Sequence, residues 1–216
     1  MKPLANPQIT QVRERALSQA AFSLALHDHL ALFNCLAEIR RDVEVAAETI
    51  IATLDLGKKL MLCGNGGSAA DSQHIAAELT GRFVTERQPL AAMALTTDTS
   101  ALTCIANDYE FNEVFARQLT GLGRPGDCLL AISTSGNSEN VIRAVEAARR
   151  MNISTIGLTG HGGGRLREVC DACVVVPSTN TARIQEAHIF VGHVLCSLIE
   201  QKHTRRSFQQ AGYSAH

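Results

Sequence analysis

Neither sign of charge prevails in this sequence. Twenty Lys and Arg stand against 21 Asp and Glu, for a net charge of −1 over 216 residues. Nothing in that balance points to a nucleic-acid backbone or an acidic membrane surface as a partner. No apolar run is expected to reach the length of a membrane span. The opening residues, Met1-Lys2-Pro3-Leu4-Ala5-Asn6-Pro7, lack the apolar centre of a signal peptide. A cytoplasmic chain is therefore expected. A second Cys-x-x-Cys is also missing. Cys170-Asp171-Ala172-Cys173 stands alone, a poor basis for a zinc site, and the odd total of seven cysteines is scattered through apolar stretches, as reduced core residues would be. Two phosphate-binding signatures are absent as well, Gly-x-Gly-x-x-Gly and Gly-x-x-x-x-Gly-Lys-Ser/Thr, so neither a dinucleotide nor a nucleoside triphosphate is the first candidate ligand.

From Val12 to Leu56 there is neither Gly nor Pro. Apolar residues recur there at helical spacing, through Leu26, Leu30, Phe33, Leu36 and Ile39, then Val43, Ala46, Ile50 and Leu54, which predicts one or two amphipathic helices. Residues 1–10, with two prolines, read as a loose lead-in. From Lys59 onward strands and helices alternate. Strands are expected at 59–63, 90–95, 128–132, 153–159 and 172–176, and a long helix from Thr181 to about His203. The third, Cys128 to Ile132, is apolar throughout, as a strand covered on both faces is. The fold class is therefore α/β: a five-stranded, doubly wound parallel sheet with an N-terminal helical extension. The expected organisation is a helical segment at 1–56, the α/β domain at 57–203 and a polar, disordered tail at 204–216.

Two loops concentrate the chemistry. Cys63-Gly64-Asn65-Gly66-Gly67-Ser68 leaves a strand and opens an Ala-rich helix. Its glycines let the backbone come close to a ligand, Ser68 can cap the helix, and the helix N-terminus suits an anion. A tight turn holding no ligand would read the same way. Ser133-Thr134-Ser135-Gly136-Asn137-Ser138 follows another strand. A helix cap needs one hydroxyl; four in six residues favour an uncharged phosphate cradle. His74 and Glu78, four apart, share one helix face, though a solvated surface pair would too. On the last helix Gln185 and His193 lie about 80° apart, while His188 is turned about 140° from His193. Spacing does not choose between the two histidines.

In combination these motifs, with Arg183-Ile184-Gln185-Glu186-Ala187-His188, resemble the sugar isomerase (SIS) fold, and within it the phosphoheptose isomerases, over residues 15–203. The resemblance implies a flavodoxin-like sheet and conversion of sedoheptulose 7-phosphate to D-glycero-D-manno-heptose 7-phosphate, the entry to activated heptose for lipopolysaccharide or other surface glycans. It further implies a homotetramer with sites at subunit interfaces. Ser133, Thr134, Ser135 and Ser138 would hold the phosphate, with Asn65, Gly66, Gly67 and Ser68 beside it. Glu78 would be the base and His193 the acid. His74, Glu78, Gln185 and His193 would hold one zinc per subunit. Arg82, Asp108, Gln185 and Glu78 would contact substrate. Ala182 departs from the family, many members carrying an Asp or another polar group there. Such residue types suit aldose–ketose isomerisation, in which a carboxylate moves the carbon proton and an imidazole the oxygen proton through an enediol. Two other readings share the fold: a regulator that binds a replication initiator, and a sugar-phosphate sensing module. Relatives of the first kind lack the carboxylate and final histidine that Glu78 and His193 supply here.

Overall fold

The computed structural model describes residues 7–212, with side chains from 18 to 204; residues 1–6 and 213–216 lie outside it. Helix α1 runs Pro7–Cys35 and α2 Arg40–Asp55, joined by a 3₁₀ turn at Leu36–Ile39. Helix thus begins earlier than the expected lead-in allows. Pro7 takes the first helical position, where its missing N–H costs nothing. Helix α2 buries Val43, Ala46, Ala47, Ile50 and Leu54, a stripe of three- and four-residue steps. The stripe does not continue back along α1, for Leu26 and Leu30 are exposed together with Phe22 and Leu24. Among the described residues nothing covers Leu26 and Leu30. Contrary to the expectation from sequence, Ser18–Asp55 is long and apolar enough to cross a membrane by length and composition. A helix pair with one face against a protein core and one apolar face outward passes the same test.

Five strands follow: β1 Leu60–Gly64, β2 Ala92–Ala94, β3 Cys128–Ser133, β4 Ser154–Thr159 and β5 Ala172–Val175. They pair in parallel in the order β2-β1-β3-β4-β5. Between them run α3 Gly67–Thr80, α4 Thr99–Asp108, α5 Val114–Leu122, α6 Glu139–Arg150 and α7 Gly164–Val169; α8, Thr181–Gly212, closes the fold. The backbone of α8 stays helical for nine residues past His203, into the segment expected to be a disordered tail. Strand β2 is three residues long, shorter than expected, because Pro89 has no N–H to give and the Leu90 amide goes instead to the Leu79 carbonyl of α3.

Alternate residues of each strand serve two cores. Leu60, Leu62, Ile132, Ile156 and Leu158 pack with α2, α3 and α8 on one face. Met61, Cys63, Leu129 and Ala131 pack with α5 and α6 on the other. The strand order reverses direction at β1, whose chain continues to β2 on one side and, later, to β3 on the other. In such sheets the crevice for ligands opens beyond the carboxyl ends of the two strands at the switch point. Gly64 of β1 stands in register with Ile132 of β3. The glycine loop and the hydroxyl loop therefore leave the sheet side by side, at that crevice.

Candidate active site

Helix α3 starts at Gly67 with Gly66 in the N-cap position, so no side chain caps it; Ser68 is the buried second residue of the helix and not the expected cap. Helix α6 starts after Ser138, which has cap geometry but no capping hydrogen bond. The Ser138 hydroxyl bonds instead to Ser133 Oγ at 3.0 Å, and Ser133 Oγ lies 3.4 Å from Ser135 Oγ. By contrast α4, after β2, is capped by the Asp98 carboxylate, and Asn180 Oδ1 accepts from the first turn of α8. Two helix N-termini flanking the switch point are thus left open toward a cluster of three hydroxyls, which together suit a phosphate.

Other contacts hold the loops in shape. Asn65 and Asn140 exchange side-chain amide hydrogen bonds of 2.8 and 2.9 Å, tying the glycine loop to the first turn of α6. The Asn65 amide is therefore engaged in positioning the loops. Asn137 gives Nδ2 to the Ser135 carbonyl and takes the Arg165 N–H on Oδ1, and the Thr134 carbonyl accepts from Gly160 N. Gly136, at φ 67°, leaves no room for a Cβ, which would fall 1.9 Å from the Gly163 carbonyl oxygen.

The long helix brings in its own groups. A Cβ on Gly67 would fall 1.2 Å from Gln185 Nε2, so the Gln185 amide lies directly on the glycine loop. Two turns further on, His193 reaches α3, where its Nε2 stands 2.9 Å from His74 Nε2. Glu78 Oε1 lies 3.5 Å from the same His74 nitrogen. The side chains of His74 and Glu78 are 45% and 23% exposed, so this cluster opens to solvent. Phe83 stacks on the His193 ring, with centroids 5.7 Å apart and planes 29° apart. His188 is fully buried, and its imidazole is pushed down to about 4 by burial, opposed by the backbone of Thr159. Packing thus separates the two histidines that spacing left equivalent.

Asp71, one turn before His74, is buried, and its carboxyl is pushed up to about 6, with His74 opposing the shift; its Oδ2 has no hydrogen-bond partner. Arg82 and Asp108 do not join the cluster within this chain. Arg82 pairs with Glu86 at 4.0 Å on the surface. Asp108 accepts from Asn107 and Cys104 of its own helix, and those bonds hold its carboxyl below the usual range. Among the described residues no group of three or more His, Cys, Asp and Glu side chains is placed to hold a metal ion. The nearest approach is the meeting of His74 and His193 nitrogens, with Glu78 beside them and the Gln185 amide on the adjoining loop.

A sequence model of the SIS domain matches residues 28–160. Among curated proteins, the phosphoheptose isomerase of Rhodospirillum rubrum is 61% identical over 155 residues, 72% of this chain and 82% of the relative. That of Nitratiruptor is 59% identical over 76% of this chain and 88% of the relative. The chain belongs to the phosphoheptose isomerase family. The solved phosphoheptose isomerase of Neisseria gonorrhoeae superimposes with a TM-score of 0.81 at 44% identity, covering 85% of this chain and 98% of that one. That of Francisella tularensis gives 0.83 at 37% identity over the same shares. A Vibrio vulnificus NanR protein complexed with ManNAc-6P is similar in fold alone, with a TM-score of 0.63 at 17% identity.

Four residues in or beside this site carried no signal strong enough to single them out. Asn140 is one Asn in a helix start. Phe83 is one aromatic in a polar loop. Arg87 and Glu200, described below, are single charges whose partners lie more than a hundred residues away in the chain.

Proposed function

We propose that this protein isomerises sedoheptulose 7-phosphate and D-glycero-D-manno-heptose 7-phosphate, in the cytoplasm, as the first step toward activated heptose for surface glycans. One observation carries the reading: His193 and Glu78, from two different helices, both come within 3.5 Å of the same nitrogen, His74 Nε2, on the helix that opens from the glycine loop. The hydroxyls of Ser133, Ser135 and Ser138 and the open N-termini of α3 and α6 hold the phosphate. That fixes the far end of the sugar and leaves C1 and C2 toward α3 and α8. Glu78 carries the proton between these two carbons as a general base and then acid. His193 moves the proton between their oxygens, and the Phe83 ring holds its imidazole. Gln185 lies between the phosphate end and this pair, where its amide can bond a substrate hydroxyl.

The donors fit one zinc per subunit. Two imidazole nitrogens bound to the same zinc at about 2.0–2.1 Å stand roughly 3.3 Å apart, near the spacing of His74 and His193, and the Glu78 carboxylate lies 3.5 Å from His74. His74, Glu78, Gln185 and His193 would hold it. Zinc held there would supply Lewis acidity toward the substrate carbonyl. The exposed face of Phe22, Leu26 and Leu30 on α1 supports a homotetramer. In that assembly Arg82 and Asp108, which meet nothing in the site of their own chain, are free to reach a site shared between subunits.

The readings as an initiator-binding regulator or a sugar-phosphate sensor keep the fold but give the Glu78 and His193 cluster no task. Purified protein is expected to turn over the phosphorylated heptulose and ignore free sedoheptulose. Glu78→Gln is expected to lose about 10²- to 10⁴-fold in rate with little change in KM. Product detection with both sugars, zinc content of both proteins and mass by light scattering test the reading. Near-native turnover by Glu78→Gln would remove the mechanism.

A further inference from the structure

The end of α3 is gripped by a buried ion pair that the chemistry above does not use. Arg87 and Glu200 side chains are 2% and 5% exposed, with Arg87 Nε 3.5 Å from Glu200 Oε1. Arg87 donates from Nη2 to the Glu78 carbonyl at 2.7 Å and from Nη1 to the Leu79 carbonyl at 2.9 Å. It thereby satisfies the Glu78 carbonyl at the helix end and shares the Leu79 carbonyl with the Leu90 N–H, with a cation where the helix dipole favours one. Glu200, on α8, accepts the N–H groups of Phe83, Val84 and Thr85 at 2.9–3.1 Å. Burial alone would raise its carboxyl; those three N–H groups and Arg87 hold it below the usual range, so it is ionised.

A buried pair of this kind is a poor way to gain stability, because removing two charges from water offsets most of their attraction. What it grips is more telling. One end holds the main chain of Glu78 itself. The other holds the main chain of Phe83, whose ring lies on His193. Both helices that meet at the site are tied through it, α8 by Glu200 and α3 by Arg87. We infer that the Arg87–Glu200 pair is a positioning device for the isomerase reaction, setting the Glu78 carboxylate and the His193 ring in register with each other. The inference rests on the roles proposed for Glu78 and His193.

Outer groups that orient reacting groups are commonly worth 10- to 100-fold in activity, and a misplacement of about 1 Å can cost 100-fold. Arg87→Lys keeps the charge, but one ammonium cannot span Glu78, Leu79 and Glu200 as the guanidinium fork does. Glu200→Gln keeps the shape and replaces one acceptor by a donor. Both variants are expected to fold and to lower kcat by about 10- to 100-fold with KM for the sugar phosphate within about threefold, since the phosphate loops are untouched. Asp127→Asn, in the turn before β3 where the carboxylate bonds Lys59 and Arg124, serves as the control for lost stability alone: a lower melting temperature with kcat retained. Wild-type kcat in Arg87→Lys and Glu200→Gln, beside an inactive Glu78→Gln, would overturn the inference and leave the mechanism standing. So would a loss of kcat that Asp127→Asn shares at equal loss of melting temperature. Near-native turnover by Glu78→Gln would overturn the base assignment and this inference with it.

Discussion

The two ends of the parallel sheet treat their polar groups in opposite ways. At the amino end the turns close on themselves. Asp127, just before β3, is buried and accepts Lys59 N, Lys59 Nζ and Arg124 N at 3.1, 2.6 and 2.8 Å. Asp171, just before β5, likewise accepts the Thr155 N–H and hydroxyl, both at 2.8 Å. At the carboxyl end, beyond β1 and β3, the hydroxyls of Ser133, Ser135 and Ser138 bond to one another and two helices begin without a side-chain cap. One end satisfies its polar groups from within the chain. The other keeps donors in reserve for something from outside. The difference separates residues that hold the sheet from residues that use it, and substitutions at the two ends should separate the same way.

The largest effect is expected at the amino end and on stability. Asp127→Ala leaves the Lys59 ammonium and two backbone N–H groups without their acceptor, at a cost of about 3 kcal/mol, with kcat unchanged. Burial raises the Asp127 carboxyl, but Lys59 and the two N–H groups outweigh it and hold it below its ordinary 3.8. Its contribution is therefore complete above that value and lost as pH falls through the lower, folded value. Melting curves of wild type and Asp127→Ala should lie apart at pH 7 and converge below about pH 3.8. A loss of turnover without a loss of melting temperature would break the division between the two ends.

Next in size is the carboxyl end. Replacing Ser133 and Ser135 together by Ala is expected to raise KM for the sugar phosphate by about 10- to 30-fold, as loss of hydrogen bonds to a charged group does. Melting temperature should change little, because these hydroxyls bond to Ser138 and to the exposed Asn137 N–H and tie no core element. Steady-state kinetics decides; an unchanged KM would move the phosphate out of this loop.

The smallest effect sharpens the boundary, at His188 beneath the carboxyl ends. In the folded chain its imidazole stays neutral down to about pH 4, against an ordinary 6.5, because burial penalises the charge. Below pH 6.5 the unfolded chain gains a proton that the folded chain refuses, so the stability this neutral group confers is present above 6.5 and is lost progressively as pH falls toward 4. At pH 5.5 the loss is about 1.4 kcal/mol. Thermal melts between pH 7 and 5 should fall more steeply for wild type than for His188→Gln, and equal slopes would show that the ring takes up a proton within the fold.

Much of this molecule was legible before folding. Leu60–Cys63 and Cys128–Ile132 are apolar runs bounded by turn residues, and each became a buried strand within a residue of its expected limits. The hydroxyls of 133–138 announced their loop by composition. Misjudgements came where a second element decided. The stripe from Leu26 to Leu54 read as one amphipathic run, yet burial needs a partner surface, and among the described residues of this chain it is buried only from Leu32 onward. Ser68 read as a cap, but the helix starts one residue earlier, where Gln185 from α8 lies against a glycine.

Local order in the sequence therefore determined the strands, the helices and the two loops that open at the sheet's carboxyl end. Backbone propensity and hydrophobic period act over a few residues, and those residues are all present in a short window. Which histidine meets His74, that the Asn65 amide is already taken by Asn140, and that Arg87 and Glu200 grip both helices of the site were decided only by tertiary structure. Each depends on the angle at which α8 crosses α3, or on how α6 meets the end of β1. That placement is set by the volume and shape of the core between them, and no local pattern along the chain encodes it.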